Sequence, residues 1–187
     1  MTEQESGRRP AQLKAAPTAE IEGAHAEAQR AFFGEAQGAE RLTFYDVLEG
    51  EVPVVEFPGV DHQKIMKVPD AVRASVDLNK WYEGRFRARP ILNHAGDNPK
   101  SILQVSYAPD AYIPQHYHDV DQMVFVVKGS LFQGKREFKV GAGYYTPAGV
   151  RYSIKAGPEG VSVIEIRRCS LGDFDTIWVE ENPARWV

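Results

Sequence analysis

The sequence predicts an all-β chain, an antiparallel barrel or sandwich with an N-terminal extension and few short helices. From about residue 42 the chain breaks into short runs rich in Val, Ile, Phe, Tyr and Thr, the residues that suit a pleated, half-buried surface. Each run is followed by a stretch carrying Gly, Pro, Asp or Asn, the residues of tight turns. Many short strands at close spacing are the pattern of an antiparallel sandwich or barrel.

Residues 1–18 hold two prolines among scattered charges and small polar residues, and are expected to be a loosely ordered tail. Residues 19–38 are rich in Ala, Glu and Gln, and Ile21, His25, Ala28 and Phe32 recur at roughly helical spacing. A short amphipathic helix is expected there, stopped by Gly34 or Gly38, with His25 an ordinary packing or surface histidine. Strands are expected over Val52–Phe57, Ile65–Val68, Arg87–Leu92, Ser101–Tyr107, Met123–Lys128, Ser130–Gln133, Glu137–Val140, Gly143–Thr146, Tyr152–Lys155 and Val161–Arg167. The connections read FPGVDH, NHAGDNPK, YAPDAYIP, VKGS, FQGK, VGAG, TPAG and KAGPEG. Residues 69–83 are expected to insert a short helix. The tail from Asp173 to Val187 sets Trp178 and Trp186 among acids, to pack on the barrel exterior or on another subunit.

With 187 residues the chain is one domain in length and buries a core without staples. A net charge of -4 gives no electrostatic footing for nucleic acid. No apolar run approaches the roughly 20 residues of a membrane-spanning helix, and the first residues lack a signal-type apolar stretch. Cys169 is the only cysteine, so no intrachain disulfide is possible, and a reducing, cytoplasmic location is expected.

The chemistry concentrates in PQHYHDVDQMVFVVKGS, residues 114–130. His116 and His118 are two apart, so on an extended strand both rings leave the same face. Side by side they form half of a metal site. Imidazole suits Zn, Cu, Fe and Ni, while oxygen ligands tilt a site toward harder ions such as Mn. Gln122 follows four residues on, and its amide oxygen is a candidate third ligand. Asp119 and Asp121 flank these positions and are expected to be solvated. Tyr107, Tyr112, Tyr117 and Phe125 supply aromatic rings nearby; those facing inward would line an apolar pocket.

This segment resembles the first cupin motif, G-x5-H-x-H-x3/4-E-x6-G, with His116, His118 and Gly129 in register, Gln122 in the Glu position and Asp110 in the leading Gly position. The second motif, G-x5-P-x-G-x2-H-x3-N, is matched by Gly141, Pro147 and Gly149. Its His position holds Tyr152 and its Asn position Ala156. The resemblance covers residues 101–168. It implies a cupin-type antiparallel jelly-roll β-barrel and tail over 101–187, with residues 19–100 adding a helix and extra strands packed on the barrel. It implies one divalent metal per chain held by His116, His118 and Gln122, with Fe(II) first and Mn(II), Ni(II) or Zn(II) as alternatives. It also implies a small-molecule substrate and a homodimer that exchanges strands from residues 50–70.

The departures leave the metal shell open. Tyr152 is either a ligand or a pocket residue that donates a hydrogen bond, since a phenol of pKa about 10 is a poorer ligand than imidazole. His94, His62 and Glu165 are the other candidates to complete the shell. Glu165 is in phase with Val163 and Arg167, so it either forms an outer-face salt bridge or lies inward beside a metal, an arginine or a proton. Three functions follow. The first is an Fe(II)-type dioxygenase that cleaves a C–C bond of a small hydrophobic or aromatic ketone or diketone. The second is a non-redox lyase, isomerase or cyclase, with Tyr152 or a histidine moving the proton. The third is a non-catalytic binding module. Catalytic roles are expected at Tyr152 and Gln122, with Tyr107, Tyr112 and Tyr152 lining the substrate pocket.

Overall fold

The computed structural model describes residues 61–83 and 85–187. The expected helix over 19–38, the strand Val52–Phe57 and His25 lie outside the described residues. Three short helices open the described part: α1 (His62–Ile65), α2 (Asp70–Ser75) and α3 (Leu78–Tyr82). Eight strands follow: β1 (Phe86–His94), β2 (Lys100–Tyr107), β3 (Tyr112–His118), β4 (Gln122–Gln133), β5 (Arg136–Lys139), β6 (Gly143–Thr146), β7 (Tyr152–Arg167) and β8 (Thr176–Trp178). All eight join one curled antiparallel sheet, as expected of a cupin-type jelly roll.

Strand β7 is the spine. Its second half pairs with β2 and its first half with β3, while β4 pairs along its length and carries β5 and β6. Two expected breaks in the sheet are absent. KAGPEG is no turn: β7 runs 16 residues through it. Likewise VKGS does not end a strand, and β4 runs 12 residues. In place of turns there are register shifts, where a strand changes which residues face inward. Tyr152, Ile154 and Ala156 alternate on one parity, and Val161, Val163, Glu165 and Arg167 face inward on the other. A slip of one residue flips every side chain to the opposite face, so an irregular step is needed between them.

Gly160, at φ +76°, lies within that step, and Gly129, at φ +69°, lies at the matching shift in β4. The two irregularities touch: a Cβ on Gly129 would come 2.1 Å from the Gly160 carbonyl oxygen. Both strands thereby turn the inner face of each half toward one core, around Leu103, Val105, Val124, Val126, Leu131, Ile154 and Val163.

Further corrections concern the edges. Ile65–Val68 is no strand. Asp61 caps α1 by accepting from the Gln63 amide, which starts a helix that takes Ile65, and only Lys67 bridges to Ile177. YAPDAYIP is a loop only in its first half; Tyr112–Pro114 belong to β3, with a register shift between Ile113 and His116 beside the proline. Residues 69–83 form two helices rather than one. The tail adds β8, and Trp186 is fully buried in a second core with Met66, Val72, Val76, Leu78 and Trp81. No helix among the described residues is long and apolar enough to cross a membrane.

Candidate metal centre

Both motif histidines are buried and lie on the inner face of β3. The Nδ1 atom of His116 is 2.8 Å from the Pro114 carbonyl oxygen, which can only accept. Nδ1 therefore carries the proton, and Nε2 holds a free lone pair. His118 is held in the same way, its Nδ1 lying 3.3 Å from the Asp175 carbonyl oxygen and 3.1 Å from the Thr176 hydroxyl. Burial, opposed by the bond to Pro114 and reinforced by the charge of Arg167, lowers the His116 pKa to about 4. Burial, then the charge of Arg167, holds His118 well below the usual range as well. Both rings are neutral and fixed by backbone carbonyls, the arrangement that orients a histidine for metal.

The charges sit opposite, on β7. Arg167 donates through Nη2 to Glu165 Oε2 at 2.5 Å and to Gln122 Oε1 at 2.9 Å. Burial alone would lower the Arg167 pKa, but the facing Glu165 carboxylate raises it, so the guanidinium stays charged. An arginine only donates, so its bond fixes the Gln122 amide with oxygen toward Arg167 and nitrogen toward Tyr152. Nε2 of Gln122 accordingly donates to the Tyr152 hydroxyl at 2.5 Å. That oxygen accepts from Gln122, and its own proton is left to point elsewhere. Burial, then the neighbouring Tyr144 and Glu165, keeps the Tyr152 pKa well above the usual phenol value.

These side chains close a ring. The His116 and His118 centroids are 5.4 Å apart, His118 and Phe174 are 5.6 Å apart, and the Arg167 guanidinium lies 4.3 Å over Phe174. Arg167 reaches Gln122, Gln122 reaches Tyr152, and the Tyr152 ring returns to His116 at 4.4 Å. Trp178 walls this ring at 4.8 Å from His116, and packs outward edge-on to Trp81 and tilted against Trp186. Strand β8 is fixed to residues 66–68: the Trp178 amide donates to the Lys67 carbonyl at 2.9 Å, and Lys67 pairs with Asp175 at 2.5 Å.

The remaining sequence candidates separate. Glu165 is inward and buried, paired with an arginine rather than lying on the outer face. His62 stacks on Tyr82 at 3.9 Å, and His94 lies at the end of β1 opposite Lys100. Among the described residues no three His, Cys, Asp or Glu side chains are placed to hold a metal, so neither His62, His94 nor Glu165 completes a set with His116 and His118. Tyr107 packs against the main core near Glu165, Tyr152 and Tyr144. Tyr112 instead borders a separate open cleft of about 490 Å³ with Lys155 and Arg185. Phe125 faces out, 39% exposed, and Tyr117 lies on the face opposite the histidines. Asp119 and Asp121 are exposed and brace loops: Asp119 accepts from the Asp175 amide, and Asp121 from the Ala148 amide and the Tyr145 hydroxyl. Sequence reasoning missed Arg167, Phe174 and Thr176–Trp178. For Arg167 the signal was present, a charge in phase with Val163 and Glu165 on an apolar strand.

The candidate donors for a divalent ion among the described residues include no third histidine. The Nε2 atoms of His116 and His118 are free, and the Gln122 carbonyl oxygen has a second lone pair beyond the one Arg167 occupies. These are neutral ligands of the kind that Fe, Mn, Ni or Zn accept.

No family model matches the chain, and no curated protein matches it. Among solved structures it is similar to an RmlC-like cupin protein from Ralstonia eutropha JMP134 (15% identity, 47% of this chain and 59% of that one, TM-score 0.41). It is also similar to a singly substituted form of oxalate decarboxylase from Bacillus subtilis (20% identity, 47% and 26%, TM-score 0.42). A third is the polyketide cyclase RemF from Streptomyces resistomycificus (17% identity, 54% and 76%, TM-score 0.43). This chain thus spans 59% of the first of these and 26% of the second.

The motif's turn positions behave as its spacing requires: Asp110, Gly129, Gly141 and Gly149 all have positive φ, and Asp110 is the one non-glycine residue among those described that does. With those turns and the inward strand positions in place on a curled antiparallel sheet, the chain has the cupin fold.

Proposed function

We propose that the chain is a metal-dependent cupin enzyme that moves a proton on a small substrate, in the lyase, isomerase or cyclase class. The observation that carries this reading is the hydrogen bond from Gln122 to Tyr152, which leaves the phenol proton free for a substrate. His116, His118 and Gln122 would hold the metal. When bound, it supplies a Lewis acid that polarises a substrate carbonyl or hydroxyl. Tyr152, held neutral by burial, gives its proton to the substrate and takes it back at the end of the cycle. As the phenolate develops, the Gln122 amide N–H stabilises its oxygen, and the Arg167 charge behind Gln122 polarises that amide further. Phe174 and Trp178 keep water from the ring.

The Fe(II)-type dioxygenase reading uses the same ligands but gives Tyr152 no proton to move. Turnover of hydroxyaryl ketones and β-diketones under nitrogen separates the two. Conversion without dioxygen supports proton transfer, whereas conversion that needs and consumes dioxygen establishes the oxidative reading. The expected homodimer draws support from Met123, Phe125 and Tyr145, which are exposed together on the outer face of β4 and β6. A sedimentation mass of one chain at micromolar concentration would count against it.

A further inference from the structure

Arg167 has more donors than the site uses. Its side chain is 2% exposed, and both of its hydrogen bonds leave from Nη2. Nε and Nη1 are buried without a hydrogen-bond partner among the described residues. Buried N–H groups in folded chains are almost always paired, and a charged donor left unpaired is costlier than a neutral one. The guanidinium is also fixed in place, stacked on Phe174 and tied to Gln122 and Glu165.

The charge balance around it points the same way. The two histidines bond backbone carbonyls through Nδ1, Gln122 is an uncharged amide, and Glu165 pairs with Arg167. A divalent ion held by this neutral set would leave the buried ring strongly positive, which an anionic substrate offsets.

We infer that Arg167 is the anion-binding group of this site and that the substrate is a small carboxylate, one oxygen of which accepts from Nη1. This rests on the ring being the substrate site. Arg167 acts as a specificity residue: a carboxylate brings a negative charge to the guanidinium as well as an acceptor oxygen, whereas the matching amide brings only the acceptor.

The test is calorimetric titration of the full chain, metal-loaded and chelator-treated, with acetate, pyruvate and benzoate against their amides. At least one acid is expected to bind about tenfold or more tightly than its amide, the span of one charge-assisted hydrogen bond. Arg167→Lys, which keeps the charge but loses the planar donors, is expected to remove most of that preference. Glu165→Gln leaves the Arg167 charge uncancelled and is expected to tighten carboxylate binding several-fold. Because Glu165→Gln gains affinity, it answers even if the Arg167 variant fails to fold. A carboxylate preference that persists in chelator-treated protein upholds this inference even if the metal reading fails. Equal affinity for acid and amide, no affinity for any probe, or weaker binding in Glu165→Gln would overturn it, whatever the metal content.

Discussion

The Gln122 amide donates to the Tyr152 hydroxyl at 2.5 Å, joining the Glu position of the first motif to the His position of the second. In the proposed reaction Gln122 keeps its carbonyl oxygen for the metal and donates its N–H to Tyr152, whose own proton is then left for a substrate. Tyr152→Phe should therefore keep its metal and its fold but lose about 10²–10⁴-fold in kcat, the usual span for a positioned acid. Metal content measured beside turnover checks this; a variant that loses its metal would make Tyr152 a ligand instead.

Gly129→Ala should cost on the order of 2–4 kcal/mol, because it combines a positive φ with contact on the Gly160 backbone. Asp110→Gly relieves the one non-glycine positive φ among the described residues and should change stability by less than about 1 kcal/mol, since Asp tolerates that region and its exposed pair with Lys155 contributes little. Urea unfolding of both variants reads the contrast. Equal, small effects would mean that the two irregularities are not coupled.

These glycines also explain what was legible in the sequence. Spacing located β1, β2, β5 and β6 and put His116 and His118 on one face, because alternation is a local property. It divided β4 and β7 at Gly129 and at Gly157–Gly160, because a glycine that shifts strand parity looks the same as one that makes a turn. Strand β8 stayed hidden for a different reason. Three residues carry no period, and Thr176–Trp178 become a strand only because β3 offers an open edge. The Glu165–Arg167 pair was half legible: phase showed that both face the same way, but only the curl of the sheet shows that this way is inward.

Acid should unfold the metal-free chain early. Burial places the His116 pKa in the folded state at about 4, so the unfolded chain binds more protons between that value and the ordinary value of 6.5. Stability from this group is fully present above the unfolded value and is lost as pH falls through the window, by on the order of 3 kcal/mol. His118 shifts in the same direction and adds to the loss. Urea midpoints of chelator-treated protein from pH 7 to pH 4 should fall steadily, and His116→Ala should flatten the slope. A flat profile in the unsubstituted chain would contradict neutral burial.

Trp186 is fully buried against Trp81 and Trp178, at 4.9 and 5.2 Å. Trp186→Ala should destabilise the chain by about 3–5 kcal/mol, the cost of a large cavity. Because Trp178 walls the ring beside His116, activity should fall as well, with Trp178 fluorescence shifting to the red. Lost stability with unchanged activity would show that the tail core and the site are independent.

Elemental analysis of the full chain, purified without chelators or an affinity metal, beside a His116→Ala/His118→Ala control bears most directly on the metal centre. The expected result is about one equivalent of Fe, Mn, Ni or Zn per chain in the unsubstituted protein and none in the control, as for a single site with two histidine ligands. A folded chain that holds no metal in either form would contradict it, and would leave the ring as a binding module for an anion.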